Sequence, residues 1–299
     1  MSRISKKYKI ITIAIISVIV IVSLPPLYFF VLNSSKISYG TLHFDKNKEL
    51  LFLNDTLLWD TGAACSVIDE KYKNKIPYKR IPLGYGLVFD TFRKIGFQKL
   101  YYSPQFNFAD SLTISKFCFL IVDMPEEIKF NNNMGIIGMD VISKANWMID
   151  FNSEKIDILS QNTMYKTEDF PQLILNYKHN RVPKTQLDFS VCQCENVLID
   201  AGFTEDLALL ESDIEIINKL YKPVDTLKSN RYSIYSTTPV IQNCYVYDTI
   251  SINDVCFNNI QILEGNKRLI GFKFFKRFDK VFLNTKEKCF YFYSAAEDL

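Results

Sequence analysis

The chain has 299 residues, of which 48% are hydrophobic and 14% aromatic, enough for the packed cores of two domains. Its 35 Lys and Arg nearly balance 33 Asp and Glu, and with a net charge of +2 and no basic face standing out, nucleic acid is not the expected partner. Only 2 His are present, and no phosphate-cradling Gly loop or His-rich metal motif, so neither a metal nor a cofactor is called for.

In chain order, the first element is apolar. Ile10 to Leu32 runs for 23 residues without a charge, long enough to cross a bilayer core. Arg3, Lys6, Lys7 and Lys9 precede it and only Lys36 follows closely, so the N-terminus is expected in the cytoplasm and the rest outside, on the periplasmic or cell-surface side. Residues 1–35 then form a basic tail and a transmembrane anchor. The competing reading is a cleaved signal peptide with its apolar core at Ile10 to Leu24, but no small-x-small cleavage site follows convincingly.

From Ile37 on, most of the chain reads as strand. Ile37–Phe44 and Glu49–Leu53 flank the polar turn Asp45–Lys48, a hairpin signal. Thr56-Leu57-Leu58-Trp59 then runs into Asp60-Thr61-Gly62-Ala63. Leu83–Phe97 reads as a glycine-flexed hairpin, with Tyr85 and Phe92 as candidates to touch a substrate. For either, the alternative is an aromatic of a plain surface hairpin. Gly135-Ile136-Ile137-Gly138-Met139-Asp140 follows, then a short helix over Val141–Ala145 and a strand pair around Asn152–Lys155. The polar stretch Ser160–Phe170 reads as a linker and divides the chain into domains at 36–163 and 164–299.

The second half repeats the first. Leu173–Tyr177 and Thr185–Val191 flank a turn, and Asn196-Val197-Leu198-Ile199 runs into Asp200-Ala201-Gly202-Phe203. Helical spacing marks Ser212–Leu220. The stretch Arg231–Tyr247 matches the glycine-flexed hairpin. Leu269-Ile270-Gly271-Phe272 precedes a helix over Phe274–Phe278 and a strand pair around Thr285–Lys288. Asp110–Phe119 lies without gaps over Asp248–Phe257. The landmarks at Asp60, Asp110 and Gly138 recur at offsets of 140, 138 and 133 residues. Order and spacing are both kept, which points to a duplication.

One carboxylate per half makes one pair per molecule. Two close carboxylates cannot both ionise easily, so one pKa rises and the other falls. The ionised member takes a proton from water while the protonated one polarises a carbonyl. Glycine after each aspartate lets two lobes approach along a narrow seam. A hydroxyl between Asp and Gly can bond across that seam. A lone Asp-Thr-Gly is most simply a β-turn. The flanking strand, the later Gly-Ile-Ile-Gly and the second copy make the signal specific.

Leu57–Ala63 and Gly135–Asp140 resemble the retropepsin-like aspartic proteases, in particular the bacterial aspartyl proteases with two lobes in one chain. The similarity runs from about Ile37 to Phe292. It implies a mainly β fold of two tandem retropepsin-like β-barrel lobes in a pepsin-like bilobal arrangement behind the anchor. It also implies a polypeptide substrate, a flap hairpin over the cleft, and a monomer with both lobes in one chain. Asp60 and Asp200 fall on the catalytic aspartates. Thr61, Gly62, Ala201 and Gly202 fall on the supporting positions. Ala201 lacks the hydroxyl of Thr61, and nearby Thr204 is a candidate to stand in for it. Lys273 stands where the first half has Asp140, a second departure.

The expected activity is thus a membrane-anchored aspartic endopeptidase. The alternative is a pseudoprotease that holds extended peptide without cutting it, by strand addition in the cleft. A third reading is a scaffold protein of the envelope. A thiol-protease reading of Cys65 lacks a placed base. The 7 cysteines cannot all pair within one chain, and Cys118 and Cys256 are expected to be buried free thiols.

Overall fold

The computed structural model describes residues 35–89, 95–109, 112–124, 133–163, 170–178, 181–233 and 236–294. The apolar segment 10–32, Phe92 and most of the expected linker lie outside them, and no helix among the described residues is long and apolar enough to cross a membrane.

The fold is mainly β. The first half supplies β1 (Lys36–Ile37), β2 (Gly40–His43), β3 (Phe52–Leu53), β4 (Leu57–Trp59), β5 (Val67–Asp69), β6 (Lys79–Phe89), β7 (Ile95–Ala109), β8 (Leu112–Val122), β9 (Gly135–Ile137), β10 (Asn146–Asp150) and β11 (Lys155–Leu159). The second supplies β12 (Leu173–Asn176), β13 (Lys184–Asp188), β14 (Gln193–Ile199), β15 (Leu207–Leu209), β16 (Asp225–Ser233), β17 (Ser236–Ile252), β18 (Val255–Glu264), β19 (Leu269–Ile270), β20 (Lys280–Asn284) and β21 (Cys289–Tyr293). Helices are short: a 3-10 helix at Glu70–Lys75, α1 (Met139–Ile142), α2 (Glu211–Ile217) and α3 (Phe272–Phe275).

Two sheets have the same internal order. One runs β3-β4-β9-β5-β8-β7-β6, with β1 added on β8; the other runs β13-β14-β19-β15-β18-β17-β16. Each strand except β1 has its counterpart in the other half. Type I′-like turns help set this register. Asn54 and Asp55 (φ 46° and 57°) reverse the chain between β3 and β4, and Asn253 and Asp254 (φ 52° and 64°) do so between β17 and β18. Asn and Asp tolerate that left-handed backbone better than other residues with a Cβ.

The third sheet, β12-β21-β20-β10-β11-β2, is built from both halves. Its central pair joins equivalent strands, with Trp147 opposite Leu283 and Asp150 opposite Lys280. This sheet overturns two expectations. Among the described residues the sheets are open and neither half closes into a barrel, because β2, β10 and β11 spend their hydrogen bonds on the shared sheet. For the same reason Ile37–Phe44 does not pair with Glu49–Leu53. Its strand β2 pairs with β11, Lys155 opposite His43, while β3 pairs with β4. The matching hairpin of the second half is reduced to one bridge, Lys178 to Lys184, as β12 pairs with β21.

One continuous core links the halves. Trp59 lies 5.9 Å from Trp147, and Phe151 reaches across to Phe272 at 5.7 Å. Phe257, Phe274, Phe278 and Phe292 form an aromatic cluster in the second half. Each such ring, fully buried, contributes roughly 2–3 kcal/mol. The helices expected at Val141–Ala145 and Phe274–Phe278 both start two residues earlier, directly after Gly138 and Gly271. All 7 cysteines are thiols rather than disulfide halves; Cys118 is buried as expected, but Cys256 is exposed on β18.

Candidate active site

Each aspartate ends a strand pinned by a parallel neighbour. β4 runs beside β9, Trp59 opposite Ile137, and Asp60 N–H donates to Ile137 O at 3.0 Å. β14 runs beside β19, Ile199 opposite Ile270, and Asp200 N–H donates to Ile270 O at 2.8 Å. The two carboxylates are therefore delivered to the seam in equivalent ways.

Local turns aim them. Gly62 N–H and Ala63 N–H donate to Asp60 Oδ1 at 2.7 and 3.0 Å. Gly202 N–H donates to Asp200 Oδ1 at 3.1 Å. Each carboxylate sits against the other half's motif glycine, which makes Asp60 and Asp200 neighbours and favours one proton held between them. Burial, then the charge and the hydrogen bond of Asp200, hold the Asp60 carboxyl well above its usual range, against the lowering effect of the Gly62 and Ala63 amides. Both residues remain partly exposed, so a water or substrate can reach them.

The glycines explain how the pair fits. A Cβ on Gly62 would fall 2.3 Å from Asp200 Oδ1, and a Cβ on Gly202 would fall 2.6 Å from Asp60 Oδ2. Each half leaves out a side chain where the other half's carboxylate sits. No residue but glycine satisfies this at either position.

Thr61 braces the seam. It is fully buried, its Oγ1 donates to Ile199 O at 2.7 Å, and it accepts from Ala201 N–H at 3.0 Å. Ala201 is equally buried but has no hydroxyl to return the bond, so the brace is one-sided. Thr204 lies half-buried one residue beyond Phe203.

A second layer supports the turns. A Cβ on Gly138 would meet Ala63 O at 2.7 Å, and one on Gly271 would meet Glu205 O at 2.0 Å. Met139 N–H donates to Ala63 O at 2.8 Å, and Phe272 N–H to Phe203 O at 2.7 Å. Beneath this the halves differ. In the first, Ser66 Oγ donates to Asp140 Oδ1 at 2.8 Å and accepts from Gly138 N–H at 3.1 Å. In the second, the Ser66 position is Asp206, fully buried, and Arg277 grips it with Nε to Oδ1 at 2.6 Å and Nη2 to Oδ2 at 2.8 Å. Lys273, at the Asp140 position, turns instead to Gln261 Oε1 at 2.8 Å. The carboxylate has moved from the helix to the bend before β15, and a cation has taken its place on the helix. Sequence reading missed Ser66, Asp206 and Arg277. The available signal was that Ser66 and Asp206 each stand six residues after a motif aspartate.

Asp140 carries a testable pH dependence. Burial pushes its carboxyl from 3.8 up to about 6, and its Oδ2 is buried without a hydrogen bond. Because the folded pKa is raised, the unfolded chain gives up this proton first as pH rises. The folded state is therefore favoured at acid pH, and that advantage is lost between about pH 4 and pH 6, by up to about 3 kcal/mol. Asp140→Asn keeps an acceptor for Ser66 and should flatten this part of the profile. Urea unfolding midpoints at pH 4 and pH 7 check it; an unchanged slope in the variant would remove Asp140 as the cause.

Tyr85 sits on β6, 48% exposed, with its hydroxyl 3.1 Å from Arg80 Nη2. It stands on the ribbon face opposite Gly86, which lies against Leu120. Two surface hollows, one of about 390 Å³ that includes Lys178, Lys184, Asp188 and Glu195, the other around Gln105 and Phe108, do not include either aspartate. The pair sits at the open seam between the two halves.

No protein-family model matches this sequence, and no curated protein matches it.

Proposed function

We propose that the chain is an aspartic endopeptidase of two pepsin-like lobes, residues 36–163 and 164–299, anchored by residues 10–32 with the lobes outside the cytoplasm. The observation that carries this reading is the reciprocal fit of Gly62 with Asp200 and Gly202 with Asp60. Burying two neighbouring carboxylates together is unfavourable for stability, and a fold has no packing reason to retain it. A water held between them would be activated by the ionised member. The protonated member would polarise the scissile carbonyl and later return the proton to the leaving amine. The shared proton sets the working range at mildly acidic pH, where one carboxyl of the pair is protonated.

A second reading has one specific observation behind it. The missing hydroxyl at Ala201 leaves the brace one-sided, which suits a pseudoprotease that only binds extended peptide.

Cells expressing the full chain should cleave an added apolar-rich peptide library at mildly acidic pH without lysis. Ala201→Thr should raise the rate severalfold by returning the second cross-seam bond. Cleavage that appears only after lysis would reverse the orientation. Peptide binding without cleavage, in wild type and Ala201→Thr alike, would favour the pseudoprotease.

A further inference from the structure

The near-zero net charge conceals a local excess. Between Glu70 and Lys99 the sequence carries Lys71, Lys73, Lys75, Lys79, Arg80, Arg93, Lys94 and Lys99 against Glu70 and Asp90. In the structure Lys71, Lys75, Lys79, Arg80 and Lys99 are exposed. Among the described residues the carboxylate paired with a cation of this strip is Glu70, which binds Lys73 at 2.6 Å. Lys71 and Lys75 both lie over the Tyr72 ring, at 5.6 and 4.8 Å, and Arg80 lies over the Tyr85 ring at 5.9 Å.

Aromatics share the strip. Tyr85 pairs with Lys99 across the ribbon, so their side chains share a face, and Phe97 lies two residues on along the same face. Phe97 is 74% exposed. The opposite face is turned to the core, where Gly86 lies against Leu120. Exposed Phe and Tyr beside unpaired Lys and Arg match the chemistry of a bilayer interface, where rings enter the headgroup level and cations meet phosphates.

The chain's exit limits how far this strip can stand from a membrane. The charge-free stretch ends at Leu32, and Ser35 is already buried, its Oγ donating to Lys116 O at 2.9 Å. Three residues reach about 10 Å at most. Lys36 is opposite Ser115, which is opposite Gln105 on β7, and Lys79 is opposite Tyr102 on the same strand. Three residues along β7 and three strand spacings across put the start of the strip within roughly 20 Å of the exit.

We propose that the face formed by the 3-10 helix and the ribbon of β6 and β7 docks on an anionic phospholipid surface. The strip is solvent-facing, and neither hollow described above includes it. Exposed cations beside exposed rings are matched to a sheet of headgroups. The proposal does not depend on proteolysis.

The test uses the chain from Ser35 onward, since all three sheets and their joint core form within it. It should sediment with phosphatidylcholine vesicles containing phosphatidylglycerol, not with phosphatidylcholine alone, and high salt should release it. Lys71→Gln, Lys75→Gln and Lys79→Gln combined should weaken binding about a hundredfold, roughly fivefold per charge. Phe97→Ser should weaken it with the salt dependence unchanged. These positions are exposed, and melting curves of the variants should overlay wild type. Equal sedimentation with both vesicle types, or full binding by the triple variant, would overturn the proposal. Tighter binding to polyglutamate than to the vesicles would overturn it in favour of an acidic polypeptide.

Discussion

Asp60→Asn should lower peptide hydrolysis by a factor of about 1,000 or more, at the upper part of the range for a lost general acid–base group. An amide neither takes a proton from water nor shares one with Asp200. The loss should appear in kcat, since the flanking strands and Thr61 keep their bonds. Asp200→Asn should cost as much, and the double variant little more, because the two carboxyls act as one unit. The same substitutions should raise the melting temperature at neutral pH. Burial and the neighbouring Asp200 hold the Asp60 carboxyl well above its usual range. The folded state thus resists ionisation and is relatively weakened as pH rises. Loss of activity with gain of stability is the signature of a functional pair. Activity within tenfold of wild type in Asp60→Asn would end the aspartic-protease reading.

Arg277→Met should destabilise the fold by about 3–5 kcal/mol, the usual cost of leaving a buried charge without its partner. Asp206 is fully buried, and besides Arg277 it has the Gln261 N–H at 3.0 Å. Arg277 also ties down Asn258 O at 2.7 Å and Asn259 O at 2.9 Å, so β18 loosens with it. Such a loss is a third or more of a typical folding free energy. Asp206→Asn in the same chain should recover part of it by removing the stranded charge. Urea unfolding of wild type, single and double variants gives the three numbers. A single-variant cost below about 1 kcal/mol would mean that the pair behaves like a surface ion pair.

The pair and its turns were legible because they are local. A strand, an Asp-x-Gly and a later Gly element each occupy a few adjacent residues, and the repeat fixed their correspondence. The short helices after the glycine elements were legible for the same reason, with their starts misplaced by two residues and their ends by three. Strand partners were not legible. Gly40–His43 and Leu173–Asn176 look like hairpin arms, yet each pairs with a strand more than a hundred residues away. Alternating apolar residues say that a strand has a buried face and not which neighbour it meets. The Asp206–Arg277 grip was hidden because its members are 71 residues apart. Comparing the halves position by position shows Lys273 in place of Asp140 and so only the loss of a carboxylate. The carboxylate is instead found at the Ser66 position, as Asp206, with Arg277 as its partner. The basic strip escaped because whole-chain charge averages it away.

The central pairing of β10 with β20 joins two copies of the same strand in antiparallel register. That is the contact an isologous dimer makes across its twofold axis. A single half, present twice, would have every strand needed for the shared sheet. The chain therefore reads as a covalently joined homodimer, and joining changes what mutation can do. In a true dimer, losing the threonine of the motif removes both cross-seam hydroxyls at once. In one chain the copies vary independently, so Ala201 could arise while Thr61 continued to hold the seam from its own side.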